Sequence, residues 1–427
     1  MQFVSVDVGT QSVRAALVSE KGRFLKTASR PLETWNPQPE FYQQSSDQIW
    51  KACCEAVKNL PSTWERLGLA LDLPDFLTWR ATGCASRSLC SAVCKWTYQA
   101  GSAPGSDMEP GWQESFWIRI GLEDLTKDSY RIIGQEFWPP GAPCGRGLSM
   151  EAGLQLGLKK GTPVATSIID AHAGGLGVWG PYFSAMVPGM WLSEAGQSAA
   201  GALVDHVIST HPAYPLVQAK TKPGRRPEDT LNAMLLTMCE QRGLDSPSQL
   251  VADLHVWPDF HGNRSPVADP NLRGMISGLT LSAGEEDLAK LYLATLQALA
   301  YGTRHIMDSL ADTGHSVSSL LMCGGMAKNP LYVELHADAT GMPVLLPSET
   351  ESVLLGGAIL AASASGRYKS VTEAMLRMGG SGKVLAPRAS ERRFHDAKYT
   401  AFRALLDCQL RLREIMSPSG RPSSSCS

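Results

Sequence analysis

Alternating apolar and polar residues predict three consecutive β-strands within the first thirty positions of the chain. Phe3 to Val8, Val13 to Ser19 and Phe24 to Ser29 each keep the period of two that places one face of a strand in a core. The period continues on both sides of Gly9, so the segment between the first two strands is predicted to be a hairpin turn and not the start of a helix. The chain therefore opens with a three-stranded meander.

A period near 3.6 residues, typical of helices that bury one face, follows later in the chain. Glu285 to Leu310 shows it over the greatest length, with an expected buried face at Leu288, Leu291, Tyr292, Thr295, Leu296 and Leu299. The other predicted elements are helices from Ser45 or Ser46 to about Leu60, from about Asp72 onward, from Glu151 to Leu156 and from near Gln197 to Ile208, and an apolar strand from Leu320 to Cys323. Strands that alternate with helices over 427 residues predict an α/β protein with two domains.

The composition is that of ordinary globular domains. Hydrophobic residues make up 43% of the chain and charged residues 19%. The formal net charge of −2 predicts no nucleic-acid partner, because nucleic-acid binding usually requires a concentrated basic face. The best apolar run, Val353 to Ala364, is shorter than the ~20 residues of a membrane helix, and Met1 to Asp7 lacks the features of a signal peptide. We therefore expect a cytoplasmic protein with no membrane partner.

The ten cysteines include no Cys-x-x-Cys pair. Cys53 and Cys54 fall in one predicted helix, and Cys90 and Cys94 are one turn apart on another. A zinc site usually has closer pairs with histidines in register, so buried and reduced thiols are the expectation. His172 is expected to be an ordinary hydrogen-bonded histidine.

The first candidate site is the hairpin that follows the first strand. Gly9 allows backbone N–H groups to approach a ligand, and Thr10, Gln11 and Ser12 add polar side chains at the tip. Asp7, at the end of the strand, can hold a magnesium-bound water beside a terminal phosphate. Taken alone, the same residues fit an ordinary hairpin with an Asx-type turn equally well.

The second candidate site is a glycine pair at the end of the predicted strand Leu320 to Cys323. Gly324 and Gly325 allow a flat base to lie directly on the backbone. Asn329 as an N-cap with Pro330 in the first helical position explains the next segment without any ligand. Together with the Asp7 hairpin, however, the glycine pair predicts a nucleotide held in a cleft between loops from two lobes.

Several segments together resemble the FGGY carbohydrate kinases, within the actin/Hsp70/sugar-kinase superfamily, and within them the ribulokinase-like branch. The matching segments are Val6–Thr10, Gln44–Trp50, Asp72–Gly83, Asp170–Gly177, Trp257–Pro266 and the loop at Gly324 and Gly325. The resemblance implies an actin-like, RNase H-like α/β fold with two lobes. It assigns residues 1–178 to a sugar lobe and 179–416 to a nucleotide lobe. The composition of residues 417–427 predicts a disordered tail.

The resemblance also implies an activity. A kinase of this kind transfers the γ-phosphate of ATP, with Mg²⁺, to a hydroxyl of a sugar, here a pentulose such as ribulose, and allows a homodimer. Asp170 matches the general base that accepts the proton of the sugar hydroxyl, although its place after Val164 to Ile169 also suits a helix N-cap. Gly201 matches a turn into a helix on the nucleotide side, and Asp7 the magnesium position.

Two junctions depart from the family pattern. The predicted helix ending near Leu60 passes almost at once to Asp72, where the family has further strands and helices with sugar-binding residues. Val178 leads directly to Trp179, where the family has the second phosphate-gripping hairpin. Both junctions indicate excised segments, as alternative splicing or an error in the gene model would produce. The N-terminal lobe is therefore predicted to be incomplete.

Three alternatives to an active sugar kinase differ in what they require. A catalytically impaired isoform would keep part of the fold. An ATPase of the actin or Hsp70 kind would share the phosphate hairpin but have no sugar base and no segment like Asp72 to Gly83. A dinucleotide oxidoreductase is disfavoured, because no strand leads through a Gly-x-Gly-x-x-Gly motif into a helix.

Overall fold

The computed structural model describes residues 2–8, 12–19, 21–33, 35–38, 41–43, 46–58, 72–101, 110–119, 123–130, 133–169, 172–173, 182–192, 195–349, 351–380 and 382–416. The strands are β1 (Gln2–Val8), β2 (Ser12–Ser19), β3 (Phe24–Pro31), β4 (Trp35–Gln38), β5 (Phe41–Gln43), β6 (Arg87–Ser88), β7 (Phe137–Trp138), β8 (Tyr182–Phe183), β9 (Trp191–Leu192), β10 (His255–Trp257), β11 (Met275–Ser277), β12 (Leu320–Leu321), β13 (Val344–Leu346) and β14 (Lys383–Leu385). The helices are α1 (Ser46–Lys58), α2 (Leu73–Thr82), α3 (Leu89–Trp96), α4 (Glu114–Arg119), α5 (Lys127–Tyr130), α6 (Met150–Leu156), α7 (Ala200–Thr210), α8 (Tyr214–Lys220), α9 (Pro227–Gln241), α10 (Glu285–Asp312), α11 (Pro330–Thr340), α12 (Ser352–Ala364), α13 (Val371–Met378) and α14 (Arg392–Met416).

The chain folds into two compact units, each made of two stretches of sequence. The first unit comprises Met1–Glu194 and Pro347–Ser381, and the second comprises Ala195–Leu346 and Gly382–Ser427. The bulk of the second unit is therefore inserted in the sequence between the two parts of the first. The predicted lobe boundary between residues 178 and 179 stays a prediction.

The sheet of the first unit is the predicted meander. β1 pairs with β2 antiparallel, with Val8 opposite Val13, and β2 pairs with β3 antiparallel, with Ser12 opposite Pro31. Within the described residues this sheet has three strands, in the order β1-β2-β3. The hairpin tip at residues 9–11 lies outside the described residues.

Strand β2 is covered on both faces, and this double coverage forms the core of the first unit. Val13 and Ala15 are fully buried in a cluster that includes Ile49 and Trp50 of α1. Ala16 and Val18 are fully buried in a second cluster, which residues of α12 and α13 complete. The sheet is thus a layer between helices, which is how a sheet buries apolar side chains on both faces.

Helix α12 approaches the sheet closely because two of its residues have no side chain. A Cβ atom built on Gly357 would lie 2.1 Å from the Ser5 hydroxyl oxygen of β1. A Cβ atom built on Gly356 would lie 2.1 Å from the Ala173 carbonyl oxygen. Both distances are far below van der Waals contact, so this packing requires glycine at each position.

A buried carboxylate links α2 to the segment that leads toward Asp170. Asp75 is 1% exposed, and its Oδ1 atom accepts the Ser88 backbone N–H at 2.7 Å. Arg87 Nη1 lies 3.7 Å from the other Asp75 carboxylate oxygen. The Ser88 hydroxyl in turn donates to the Ser167 carbonyl at 2.6 Å. Asp75 therefore ties α2 and β6 to a residue three positions before Asp170.

The second unit is built around the long helix α10. Its predicted face is confirmed at five of six positions: Leu288, Tyr292, Thr295 and Leu296 are fully buried, and Leu299 is 1% exposed. Leu291, the sixth, is only partly buried and packs at the edge of the core. These side chains pack in one large cluster with residues of α7, α9, α11 and α14. In the small sheet of this unit β12 runs parallel to β13, and β13 antiparallel to β14.

Two predicted boundaries in the second unit were wrong. The helix predicted from Gln197 begins at Ala200, since the Gln197 side chain bonds to α10 and Ala199 has a left-handed φ of 56°. The strand predicted to reach Cys323 ends at Leu321, although the Met322 N–H still donates to Leu345 at 2.9 Å. None of the helices in the described ranges is both long and apolar enough to cross a membrane.

The close approach of α12 to β1 predicts the effect of Gly357→Ala. Alanine usually stabilises a helix interior relative to glycine, but here its Cβ would overlap the Ser5 hydroxyl, so we expect the free energy of unfolding to fall by about 1–3 kcal/mol. Urea unfolding followed by tryptophan fluorescence measures it, because ten of the eleven tryptophans belong to the first unit.

Ser5→Ala is the matched control. The Ser5 hydroxyl is buried and has no hydrogen-bond partner among the described residues, so removing it alone should cost little. In the double variant, Ser5→Ala should recover part of the loss caused by Gly357→Ala. Strictly additive effects of the two substitutions would contradict the overlap.

The Asp75 site predicts a pH dependence of stability. Burial raises the pKa of Asp75 from 3.8 to about 7, outweighing the Ser88 hydrogen bond and the Arg87 charge. The folded state therefore binds this proton more tightly than the unfolded chain, and the free energy of unfolding should fall as the pH rises from about 4 to about 7. Urea unfolding across this range should show a smaller fall for Asp75→Asn than for the unsubstituted chain. An equal fall in both would exclude Asp75 as its source.

Candidate active site

Asp7 lies at the end of β1, directly opposite Arg14 in the hairpin register. The Asp7 carboxylate is almost fully buried and forms an ion pair with the Arg14 guanidinium. Arg14 also pairs with Glu351, the residue that precedes α12, with 2.5 Å between Nη1 and Oε2. One arginine therefore bridges two carboxylates that are 344 positions apart in the chain.

The sequence alone did not predict the bridge that Arg14 forms between Asp7 and Glu351, although its contact with Asp7 was predictable. In a hairpin with Val8 opposite Val13, the next pair outward is Asp7 and Arg14. Oppositely charged residues directly across an antiparallel pair stabilise each other, so this pair was predictable from the register. Glu351 had no such signal, because its position depends on the packing of α12.

Of the four predicted phosphate-binding residues at the hairpin tip, the structure describes one. Ser12 is the first residue of β2 and is partly buried. Gly9, Thr10 and Gln11 lie outside the described residues, and their roles stay predictions.

Asp170 also lies outside the described residues. Of the residues that follow it, His172 and Ala173 are helical, and the backbone N–H of Ala173 donates to the Ile169 carbonyl at 2.9 Å. The role of Asp170 as a base or as an N-cap stays a prediction.

The glycine pair of the second unit follows β12 in a tight turn. Gly324 has a φ of 83°, which glycine adopts without strain, and Gly325 precedes the 3₁₀ turn Met326–Lys328. A Cβ atom on either glycine would have no neighbour within 4 Å among the described residues. The backbone at the pair thus has open space beside it, as a flat ligand would require.

The Asn329 side chain is used inside the second unit. Asn329 precedes α11 as predicted, but its side chain makes no capping hydrogen bond. Its Nδ2 group donates to the Tyr292 hydroxyl at 2.6 Å, and its Oδ1 atom accepts from Asn232 at 3.0 Å. The Tyr292 hydroxyl donates to Asn232 at 3.1 Å, which closes a ring of three side chains. Burial raises the pKa of Tyr292, so the hydroxyl keeps its proton at neutral pH.

Gly201 lies in the first turn of α7, where an added Cβ atom would meet nothing within 4 Å among the described residues. The preceding loop is anchored to α10 by Gln197, whose Nε2 group donates to the Leu299 carbonyl at 2.8 Å and to the Thr303 hydroxyl at 3.0 Å. Gly302 makes room for this side chain, since a Cβ atom there would lie 2.4 Å from Gln197 Oε1. The start of α7 is therefore held in place, with open space at Gly201.

Two domains of one protein family match this chain, one near its start and one farther along. The N-terminal domain of the FGGY family of carbohydrate kinases matches residues 2–76, and its C-terminal domain matches residues 166–365. The human FGGY carbohydrate kinase domain-containing protein is 40% identical over 549 residues, which cover 97% of this chain and 98% of that protein. A D-ribulokinase of Saccharomyces cerevisiae is 28% identical and covers 85% of this chain and 72% of its own.

The alignment with the human relative is longer than this chain, which tests the prediction that segments have been excised. It extends over 549 positions, 122 more than the 427 residues of this chain. At least that many residues of the human protein therefore face gaps in this chain, although the alignment reaches nearly all of both sequences. Internal segments of the relative are absent here, as the sequence analysis predicted; their location at the two junctions stays a prediction.

The fold agrees with the sequence relationship. A solved xylulose kinase from Lactobacillus acidophilus superposes with a TM-score of 0.72, covering 97% of this chain and 99% of that one at 14% identity. The architecture is thus the α/β, actin-like, two-domain fold of these sugar kinases. With two family domains matched in order and a relative at 40% identity aligned over nearly its full length, the chain belongs to the FGGY family of carbohydrate kinases, which are phosphotransferases.

Proposed function

We propose that this chain transfers the γ-phosphate of ATP to a hydroxyl of a pentulose such as ribulose. The family assignment supports phosphoryl transfer to a sugar, and relatives named D-ribulokinase and ribulokinase support a five-carbon ketose as acceptor. The structural observation that carries the proposal is the buried Asp7 carboxylate at the end of β1, fixed by Arg14 beside the glycine hairpin. An ATPase of the Hsp70 kind is disfavoured by the same family assignment.

On the phosphate side, the hairpin residues would bind the terminal phosphates. Backbone N–H groups near Gly9, with the side chains of Thr10, Gln11 and Ser12, suit phosphate oxygens. Asp7 would hold Mg²⁺ through a water, and carboxylate oxygens are ligands that this cation prefers. Magnesium, when bound with ATP, offsets the negative charge of the phosphates. Arg14 would keep the Asp7 carboxylate in one orientation.

On the nucleotide side, Gly201, Gly324, Gly325 and Asn329 would contribute mainly through their backbone. Open space beside each of the three glycines allows a flat base or a ribose to approach the main chain. The Asn329 side chain already bonds to Tyr292 and Asn232, so it would position the turn and leave ligand contact to its backbone.

Asp170 would act as the general base. Transfer to an alcohol requires an acceptor for the hydroxyl proton in the transition state, and a carboxylate close to the hydroxyl supplies it. The hydrogen bonds from Asp75 through Ser88 to Ser167 would hold the preceding segment in place.

A second candidate function is that of a catalytically impaired isoform, which alternative splicing would produce. At least 122 alignment positions of the human relative have no counterpart in this chain, and the sheet has three strands in the described residues. Loss of the second phosphate-gripping hairpin would remove donors that act on the transition state. Loss of part of the sugar lobe would weaken binding of the acceptor separately.

Asp170→Asn tests the proposed base. In a version of the chain that turns over, we expect kcat to fall on the order of a hundredfold or more while the affinity for ATP stays within about twofold, because the base acts on the proton of the acceptor. ADP release with ATP, magnesium and ribulose measures turnover, and a fluorescent ATP analogue measures affinity. Asp312→Asn, at an exposed carboxylate near the end of α10, is the matched control. Unchanged turnover in Asp170→Asn would remove this residue from the mechanism.

Restoring the absent segments separates the two candidate functions. We expect a version carrying the corresponding segments of the human relative to turn over at least about a hundredfold faster, since each lost transition-state donor costs ~3 kcal/mol. ADP release is measured for both versions with a panel of ketopentoses and polyols. Equal turnover would show that the junctions are not functional losses.

A further inference from the structure

Two cysteines and a histidine from separate parts of the first unit meet at one point. Cys90 and Cys94 lie one turn apart on α3, and His172 lies in the helical turn after Ile169. Cys90 Sγ and His172 Nδ1 are 3.2 Å apart. One ligand atom from each of the three residues lies within 4.8 Å of the other two. In the part of the chain that the structure describes, these three residues form the group whose side chains could together hold a metal ion.

The spacing suits a tetrahedral zinc ion. Bonds of about 2.3 Å to sulfur and about 2.0 Å to nitrogen place a thiolate and an imidazole nitrogen about 3.5 Å apart, and two thiolates about 3.8 Å apart. The 3.2 Å contact therefore needs to open by a few tenths of an ångström, and the pair of cysteines needs at most a small rotation. Two thiolates and one imidazole leave the fourth position for a water.

Two of the three side chains are buried, and the third is reachable from the surface. Cys90 is fully buried and His172 is 4% exposed, while Cys94 is partly exposed and gives a path for entry. Cys94 also packs against the apolar cluster of Val93, Ala185, Met186 and Leu192, which holds its side chain on the side of α3 that faces the first unit.

We propose that Cys90, Cys94 and His172 form a zinc-binding site in the first unit, with a water as fourth ligand. The site goes beyond phosphoryl transfer and does not depend on it. Binding would join α3 to the segment after Ile169, and His172 is two residues from Asp170 in the chain. The cation would therefore stabilise the segment that carries the proposed base.

Metal binding to the full-length, reduced chain tests the site. After removal of metal with a chelator, Zn²⁺ is titrated in competition with a chromophoric chelator, and Co²⁺ is added to a second sample. We expect one Zn²⁺ per chain and a near-ultraviolet thiolate-to-cobalt charge-transfer absorption. Cys94→Ser and His172→Gln should each weaken zinc binding more than about tenfold, since losing a ligand costs more than losing the groups that orient it.

Cys84→Ser is the matched control. Cys84, like Cys94, is partly exposed and lies close to a second cysteine, here Cys144. Among the described residues no histidine joins this pair as a third ligand. The Cys84→Ser variant should bind zinc as tightly as the unsubstituted chain. Tryptophan fluorescence checks that every variant is folded. Absence of the charge-transfer absorption in the unsubstituted chain would overturn the proposal and leave a thiol–imidazole hydrogen bond only. Equal weakening by Cys84→Ser would also overturn it.

Discussion

The first unit depends on the contact between helix α12 and strand β1, which two adjacent glycines allow. A three-stranded meander has little apolar surface of its own to bury, and β2 reaches full burial because helices cover it on both sides. One of those helices, α1, follows the sheet in sequence, while the other, α12, returns after the inserted second unit. A side chain at Gly356 would overlap the Ala173 backbone, and one at Gly357 would overlap the Ser5 hydroxyl.

The same packing places the charges at the end of β1. Because α12 begins at Ser352, the preceding Glu351 reaches Arg14, which in turn pairs with the buried Asp7. A buried carboxylate without a partner would be strongly unfavourable, and Arg14 supplies an oppositely charged partner for Asp7. The geometry proposed for magnesium therefore rests on an interior packing contact as much as on the hairpin itself.

The chain keeps the family fold although it is shorter than its human relative. The fold agrees with a complete xylulose kinase over nearly the full length of both chains, yet the alignment with the human relative leaves at least 122 of its residues without a counterpart. Among the described residues, each of the three strands of the β1-β2-β3 sheet has a hydrogen-bonded neighbour. Catalysis is less tolerant of lost segments, since phosphoryl transfer relies on the positions of several donors at once.

The amino-acid sequence by itself determined the local elements and the family. The alternation of apolar and polar residues predicted the meander, and a 3.6-residue period predicted the buried face of α10. Gly324 predicted the turn after β12. These features depend on residues that are neighbours in the chain. Only the tertiary structure decided which side chains meet. It turned Asn329 toward Tyr292 instead of its own helix, joined Arg14 to Glu351 across 337 positions, and set His172 against Cys90 across 82. Such contacts depend on how distant segments pack, and no local pattern carries that information.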